Sequence, residues 1–382
     1  MTKPYGKQLV FIVFTVVLII IVLSIEAKFY ERFASLIYLV SMLSLVGLFL
    51  FGKNVNGATS WYAIGGMTLQ PAEFAKFATA LAVAKYISDL QTNIQDIKHQ
   101  LKTVLIIIVP AVLILLQNDA GSTMVYASFF FVFYREGVPR LYLIIAVGIT
   151  VLSVAALKFG VLISAIATVV LVFLYYFLIV KKKKRIMQPI FVSIVSILIL
   201  FGVQFFYSNI LQKHQQDRIS VWLRLEKDPV KLEAMKRDIS YNLHESEKAI
   251  SSGGVTGKGF MEGTRTIGNF VPEQHTDYIF STVGEEWGFL GSSLVVILFV
   301  FLIIRILHLA ELQKSQFSRV YGYCVASIFF FHFMINIGMV MGLIPTVGIP
   351  LPFFSYGGSS LWGFTILLFV FIKLDANRIN EW

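Results

Sequence analysis

Apolar runs close to the length that crosses a hydrocarbon layer of ~30 Å recur along nearly the whole 382-residue chain, and that repetition excludes a water-soluble fold. The pattern predicts spans near 9–25, 34–51, 71–87, 103–117, 120–134, 139–157, 161–180, 187–207, 287–304, 320–342 and 357–373. A backbone amide inside hydrocarbon finds no water, so each span must close its hydrogen bonds within itself, which a helix does. The expected fold class is an all-α polytopic membrane protein with about eleven transmembrane helices, a single domain over 1–382, and one long extracytoplasmic loop at 208–286. Composition agrees, since 57% hydrophobic residues, 35 Phe and only 14% charge cannot cover a normal water-facing surface.

A formal charge of +10 raises the question of nucleic acid, and the placement of the charge argues against it. Residues 208–286 carry ten Lys/Arg against twelve Asp/Glu, so the long loop is slightly acidic. The basic excess sits in short loops at alternate crossings: Lys28/Arg32, Lys98/Lys102, Arg135/Arg140, Lys181 to Arg185, Arg305/Lys314/Arg319 and Lys373/Arg378. The intervening short loops hold only Lys53 and Lys158. Basic short loops stay in the cytoplasm, which puts the long loop outside. The run Lys181 to Arg185 then reads as an orientation anchor rather than a nucleic-acid or lipid-specific patch. Seven spans precede it, so the N-terminus falls outside, although Lys3 and Lys7 by themselves suggest a cytoplasmic start.

The first apolar run is no signal peptide by its flank, because Ser24-Ile25-Glu26-Ala27 is a poor small-residue cleavage site. Cys324 stands alone in an apolar span and reads as a small core residue. The six histidines show no metal-ligand spacing. The stretch Gln212 to Ala249 is charged, has helical spacing, and suits either a partner-docking or a membrane-surface helix.

Polar residues that a membrane chain keeps despite their cost are the candidates for function. Glu73 and Lys76, three apart in the span that begins at Pro71, share a helix face as an ion pair. They serve either a wet cavity or, more plainly, an interface solvated by headgroups. Asp119 sits in Gln117-Asn118-Asp119-Ala120-Gly121-Ser122, where a helix N-cap accounts for it without chemistry. Gly253-Gly254-Val255-Thr256-Gly257-Lys258-Gly259 glances at a phosphate cradle, but Gly259 follows Lys258 where Ser or Thr is needed, so a flexible loop is expected. Gly342 to Ser360 holds Pro345, Pro350 and Pro352 and cannot be helix throughout, which suits a cavity wall. The densest polar segment is Val271-Pro272-Glu273-Gln274-His275-Thr276-Asp277-Tyr278, followed by Glu285-Glu286.

Taken in order, several of these segments resemble the SEDS family of bacterial wall proteins (shape, elongation, division and sporulation). They are Asn56-Gly57-Ala58 with Trp61, Gln70 to Lys76, Gln117 to Gly121, Gly257 to Thr264, Val271 to Phe280, Glu285 to Gly288, and Gly348 to Pro352 leading into Ser355 to Ser360. The resemblance covers nearly the whole chain. Gly263-Thr264, and Val347 where division members usually carry Lys, are more similar to the rod-shape branch than to the division branch.

The resemblance implies the SEDS fold and a peptidoglycan glycosyltransferase, multi-pass in the bacterial cytoplasmic (inner) membrane, with its active site on the extracytoplasmic face. It implies lipid II and the nascent glycan-lipid as substrates, a class B penicillin-binding protein as transpeptidase partner, and other elongation-machinery proteins. No nucleic acid is expected. Asp277 matches the family's essential residue, and Glu73 and Lys76 match its cavity ion pair. His275, Thr276, Glu285, Asp119, Gln70 and Ser355 are substrate-binding candidates, with loop-shaping hydrogen bonds as the plainer alternative for His275, Thr276 and Glu285. The sequence shows no cofactor and no metal motif; magnesium or manganese enters only through the resemblance. Ser60, Ala72 and Ala120 depart from the usual Arg, Ser and Leu. Aligning the motifs implies that the usual first span is absent and that an extra pair is present, 139–157 with 161–180 or 161–180 with 187–207. A precursor flippase and a non-catalytic scaffold are the rival classes.

Overall fold

The computed structural model describes residues 4–55, 57–64, 67–179, 187–211, 213–225 and 240–380. The basic run Lys181 to Arg185 and the central part of the charged loop, 226–239, lie outside the described residues. The chain divides into two compact units, Met1–Val138 with Glu245–Trp382, and Pro139–His244.

In the first unit α1 (Pro4–Ser24) and α2 (Ala27–Phe51) lead into three short strands, β1 (Lys53–Val55), β2 (Ala58–Ile64) and β3 (Met67–Leu69). They form one antiparallel sheet in the order β1-β2-β3, pairing Lys53 with Trp61 and Ala63 with Thr68. This short sheet lies between α2 and the next helix of an otherwise all-α fold. Its connections are Asn56-Gly57 and Gly65-Gly66, dipeptides suited to two-residue hairpin loops, and Gly57 takes φ +86°.

Next comes α3 (Pro71–Ile87), with Pro71 in the first turn, where its missing N–H costs nothing. This helix packs against α2, α4 (Ile97–Leu116) and two later helices, and it is buried on every face. That enclosure explains how it carries two charges.

The expected span 120–134 is broken into α5 (Ala120–Val125), a 3₁₀ turn at Tyr126–Ser128, and α6 (Phe129–Arg135). Its first turn, Ala-Gly-Ser-Thr, has weak helix formers after the Ala.

The second unit holds α7 (Arg140–Phe159), α8 (Val161–Ile179), α9 (Met187–Asn209) and α10 (Lys213–Leu223). Helices α7, α8 and α9 pack on one another, and Gly160 at φ +82° makes the tight α7–α8 turn. Both alternatives for an extra pair of spans fall within this unit.

The chain continues through α11 (Tyr241–Ser252), which runs across the unit boundary, the single turn α12 (Thr264–Ile267), α13 (Ile279–Glu311), α14 (Gln316–Val340) and α15 (Gly358–Asn377). In the first unit α14 and α15 pack on α3, and α15 also packs on α1. Among the described residues nine helices are long and apolar enough to cross a membrane: α1, α2, α4, α7, α8, α9, α13, α14 and α15. Of the eleven expected spans, α3 with 17 residues and the broken 120–135 segment do not reach that standard. Helix α13 starts eight residues before the expected position, because its first turns extend ahead of a kink at Gly288 (φ +62°).

Candidate functional site

Asp277 closes a run of turns from Val271 to Tyr278, directly ahead of α13. Two α14 and loop contacts hold its backbone. The Asn336 amide donates to the Asp277 carbonyl at 2.8 Å and to the Ile349 carbonyl at 2.6 Å. Next to it, the Ser355 hydroxyl donates to the Thr276 carbonyl at 2.6 Å while accepting from the Leu351 N–H at 2.8 Å. The Tyr356 N–H donates to the His275 carbonyl at 2.7 Å, and the Tyr278 and Thr346 hydroxyls meet at 3.2 Å. The proline-rich segment 345–356 is therefore laced to the 271–278 turn at several points. Gly348, at φ +78°, lies against the carboxylate, since a Cβ there would stand 3.2 Å from Asp277 Oδ2. The Asp277 side chain itself is half-buried.

Gly121 joins a second carboxylate to this wall, because a Cβ on it would meet the Val347 and Gly348 carbonyls at 2.9 Å. Asp119 caps α5 by accepting from the Ser122 N–H and hydroxyl, each at 2.9 Å, and it also accepts from the Gln70 amide at 2.8 Å. Gln70 is the residue before α3, and its N–H donates to Ser359 Oγ at 3.0 Å. Asp119 and Gln70 thus appear as a hydrogen-bonded pair linking α5 to α3.

Within the first two turns of α3, Glu73 and Lys76 form a 2.8 Å ion pair with side chains 2% exposed, which excludes a headgroup-solvated interface. The remaining Lys76 partners come from other helices. Lys76 Nζ lies 2.9 Å from His332 Nε2 and 4.9 Å from the centre of the Phe364 ring. Nδ1 of the same imidazole lies 3.1 Å from the Pro350 carbonyl, an atom that only accepts. The proton therefore resides on Nδ1, and Nε2 accepts from the ammonium. His332 and Asn336 are the site residues that the sequence reading passed over. Their signal was present, as two polar residues four apart in an otherwise apolar span share one helix face.

Glu285 is fully buried and takes a different part. It accepts from Lys258 Nζ at 2.7 Å, the Arg265 N–H at 3.0 Å, the Thr266 N–H at 2.9 Å and hydroxyl at 2.8 Å, the Thr264 hydroxyl at 3.3 Å and the Ser252 hydroxyl at 3.5 Å. Its neighbour loop, Gly253 to Gly259, is laid tightly along the kink of α13: Lys258 and Gly259 N–H donate to the Glu285 and Glu286 carbonyls, and Phe289 and Leu290 N–H donate to Gly254 and Val255. The glycines serve close backbone approach, not flexibility. A Cβ on Gly257 (φ +83°) would collide with the Glu286 carbonyl, and one on Gly288 with the Gly257 nitrogen.

Of the other expected contacts, His275 is exposed and Thr276 half-buried, its hydroxyl donating to Glu273 at 2.8 Å. Ser60, in the place of the usual Arg, is buried on β2. Among the described residues no three His, Cys, Asp or Glu side chains converge on one point.

These features define a polytopic helical membrane protein whose half-buried carboxylate is backed by a buried Glu-Lys-His cluster. The profile of the family described as "Cell cycle protein" (FtsW/RodA/SpoVE) matches residues 3–188 and 159–380, and the chain belongs to that family, the SEDS proteins. The two matched stretches share residues 159–188, where the extra spans are expected. Among relatives, the peptidoglycan glycosyltransferase RodA of Treponema pallidum is 31% identical, over 99% of this chain and 91% of its own. The peptidoglycan glycosyltransferase MrdB of Escherichia coli K12 is 30% identical, over 90% of this chain and 78% of its own. Among solved structures, a chain described under structural coordination of polymerization and crosslinking by a peptidoglycan synthase complex superposes with a TM-score of 0.72 at 22% identity, covering 99% of this chain and 91% of that one. Thermus thermophilus RodA superposes with a TM-score of 0.63 at 21% identity, covering 98% and 88%. These likenesses carry the fold.

Proposed function

We infer that this chain is a peptidoglycan glycosyltransferase of cell elongation that joins lipid II into β-1,4 glycan strands at the outer face of the cytoplasmic membrane. Family membership along the chain and the activity for which its relatives are named support the reaction class. The placement of the basic short loops supports an extracytoplasmic 208–286 loop carrying Asp277. The observation that carries the mechanism is the half-buried Asp277 carboxylate on a backbone fixed from three sides, by Asn336, Ser355 and Tyr356.

Asp277 acts as general base. The acceptor hydroxyl loses its proton to the carboxylate as its oxygen bonds to the anomeric carbon of the donor sugar; the bond from that carbon to the lipid diphosphate breaks with its electron pair on the diphosphate, and the configuration inverts. A base so placed supplies ~10²- to 10⁴-fold in rate, and a fixed backbone is what keeps it in reach of the hydroxyl. Lys76 Nζ has Glu73 at 2.8 Å, His332 at 2.9 Å and the Phe364 ring centre at 4.9 Å, which supports a holding role over direct contact with the diphosphate. Glu285 and Ser355 shape the loops that frame the site. His275, Thr276, Asp119 and Gln70 stay as substrate-contact candidates on the same wall. Magnesium or manganese enters only through the family resemblance, and no step in this scheme is routed through either ion. A class B penicillin-binding protein fits as the crosslinking partner, on the strength of the neighbour from a synthase complex.

The test is purified full-length protein with lipid II. Glycan chains from the wild type and none from Asp277→Ala, with folding intact, support the reading. Normal polymerisation by Asp277→Ala removes Asp277 as base, and lipid translocation without polymer from the wild type favours the flippase.

A further inference from the structure

The mechanism leaves a buried imidazole unexplained. His332 lies inside α14, and both of its ring nitrogens are engaged. An apolar residue would fill a packed position in a helix interior at lower cost, since a buried imidazole must find a partner for each nitrogen. Here the two partners belong to different parts of the site. One is the Lys76 ammonium of the buried α3 pair at 2.9 Å, and the other is the Pro350 carbonyl, in the segment that abuts Asp277, at 3.1 Å. One turn along the same helix face, Asn336 repeats the pattern by holding Ile349 and Asp277 together. The rungs stand four residues apart and reach successive carbonyls, Ile349 and Pro350, of one loop.

Resting on the transferase reading above, we propose that His332 is a positioning residue. It bridges the Glu73–Lys76 pair to the Pro350 carbonyl and so fixes the 345–352 segment in which Gly348 packs against the Asp277 carboxylate. Glu73 neutralises Lys76, and the Phe364 ring covers the ammonium and meets the imidazole edge-on at 4.7 Å. The ammonium can therefore donate to His332 only while the neutral ring keeps its proton on the Pro350 side, and the bridge acts in one orientation. Loss of the bridge leaves the pair buried but releases the loop wall beside the base. A misplacement of about 1 Å at a reacting group can cost ~100-fold in rate.

The experiment measures lipid II polymerisation by full-length protein in proteoliposomes for four variants. His332→Phe keeps bulk and removes both hydrogen bonds; His332→Gln keeps one donor and one acceptor. Expected results are a kcat lower by about 10- to 100-fold for His332→Phe at a KM within about threefold of wild type, and recovery to within about threefold for His332→Gln. The third variant is Lys76→Met and the fourth combines it with His332→Phe. Acting through Lys76, His332→Phe should add less than about threefold to the loss that Lys76→Met already causes. Wild-type kcat for His332→Phe, no recovery in a folded His332→Gln, or losses that multiply in the double variant would each overturn the proposal. Should His332→Phe fail to fold, His332→Met takes its place in the same cycle. Asp277→Ala run alongside separates the two levels: an active Asp277→Ala sinks the transferase mechanism itself, whereas an inactive Asp277→Ala with an unaffected His332→Phe sinks only the positioning role.

Discussion

Asp277 and Glu285 stand eight residues apart in one polar segment, yet the structure treats them in opposite ways. Glu285 is fully buried, and six donors from Ser252, Lys258, Thr264, Arg265 and Thr266 converge on its two oxygens. Around Asp277 the fixed atoms are backbone: its own carbonyl, that of Thr276 and that of His275, each held by a neighbour. The carboxylate itself stays half-buried. A carboxylate whose lone pairs are all used organises a loop and has nothing left for substrate. Asp277 keeps its main chain clamped while its side chain stays partly exposed, which is the arrangement the proposed general base requires. Two acidic residues in one motif thus divide into a staple and the proposed base.

The contrast breaks most sharply on activity. Asp277→Ala is expected to lower polymerisation by ~10²- to 10⁴-fold, with thermal unfolding in detergent close to wild type. For Glu285→Ala the order reverses, with stability lost first. Breaking a buried pair costs about 3–5 kcal/mol, and because Lys258 keeps part of its solvent the loss should fall at the lower end, read as a reduced unfolding midpoint. A Glu285→Ala protein that melts like wild type and makes no glycan would show the staple to be catalytic and end the distinction. Gly288→Ala should cost at least about 1–3 kcal/mol from its positive φ, beyond its collision with Gly257, and it should loosen the 253–259 loop in hydrogen exchange without altering the Glu73–Lys76 region. The smallest effect belongs to Ser355→Ala. Loss of the tether to Thr276 is worth about 1 kcal/mol, and its activity should fall by less than tenfold; a loss as deep as that of Asp277→Ala would make Ser355 a direct substrate contact.

Much of this arrangement was legible in the residues. The Glu73–Lys76 pair followed from a spacing of three, the Asp119 cap from an Asp one residue ahead of a helix, and the non-helical backbone ahead of Gly358 from its prolines. The β1-β2-β3 sheet was also signalled, by Asn56-Gly57 and Gly65-Gly66, but an apolar-run reading counts spans and passes over short strands between them. The Gly253–Gly259 loop was read as flexible because glycine alone permits many conformations; which one it takes depends on the backbone of Gly288, over thirty residues on. For His332 the sequence carries only its shared helix face with Asn336; its role depends on its partners on α3 and at Pro350, which the tertiary structure supplies.

By itself the sequence determined that the chain lives in a bilayer, which of its loops carry the positive charge, and which polar residues were worth their burial, because hydropathy and charge are properties of residues and short spacings. Only the tertiary structure decided which carboxylate is fully buried among donors and which keeps partial exposure, and that α3, with its two charges, is enclosed on every face within its unit. Those outcomes depend on donors brought from helices far apart in the chain, and a hydrogen bond exists only where both of its partners have been placed.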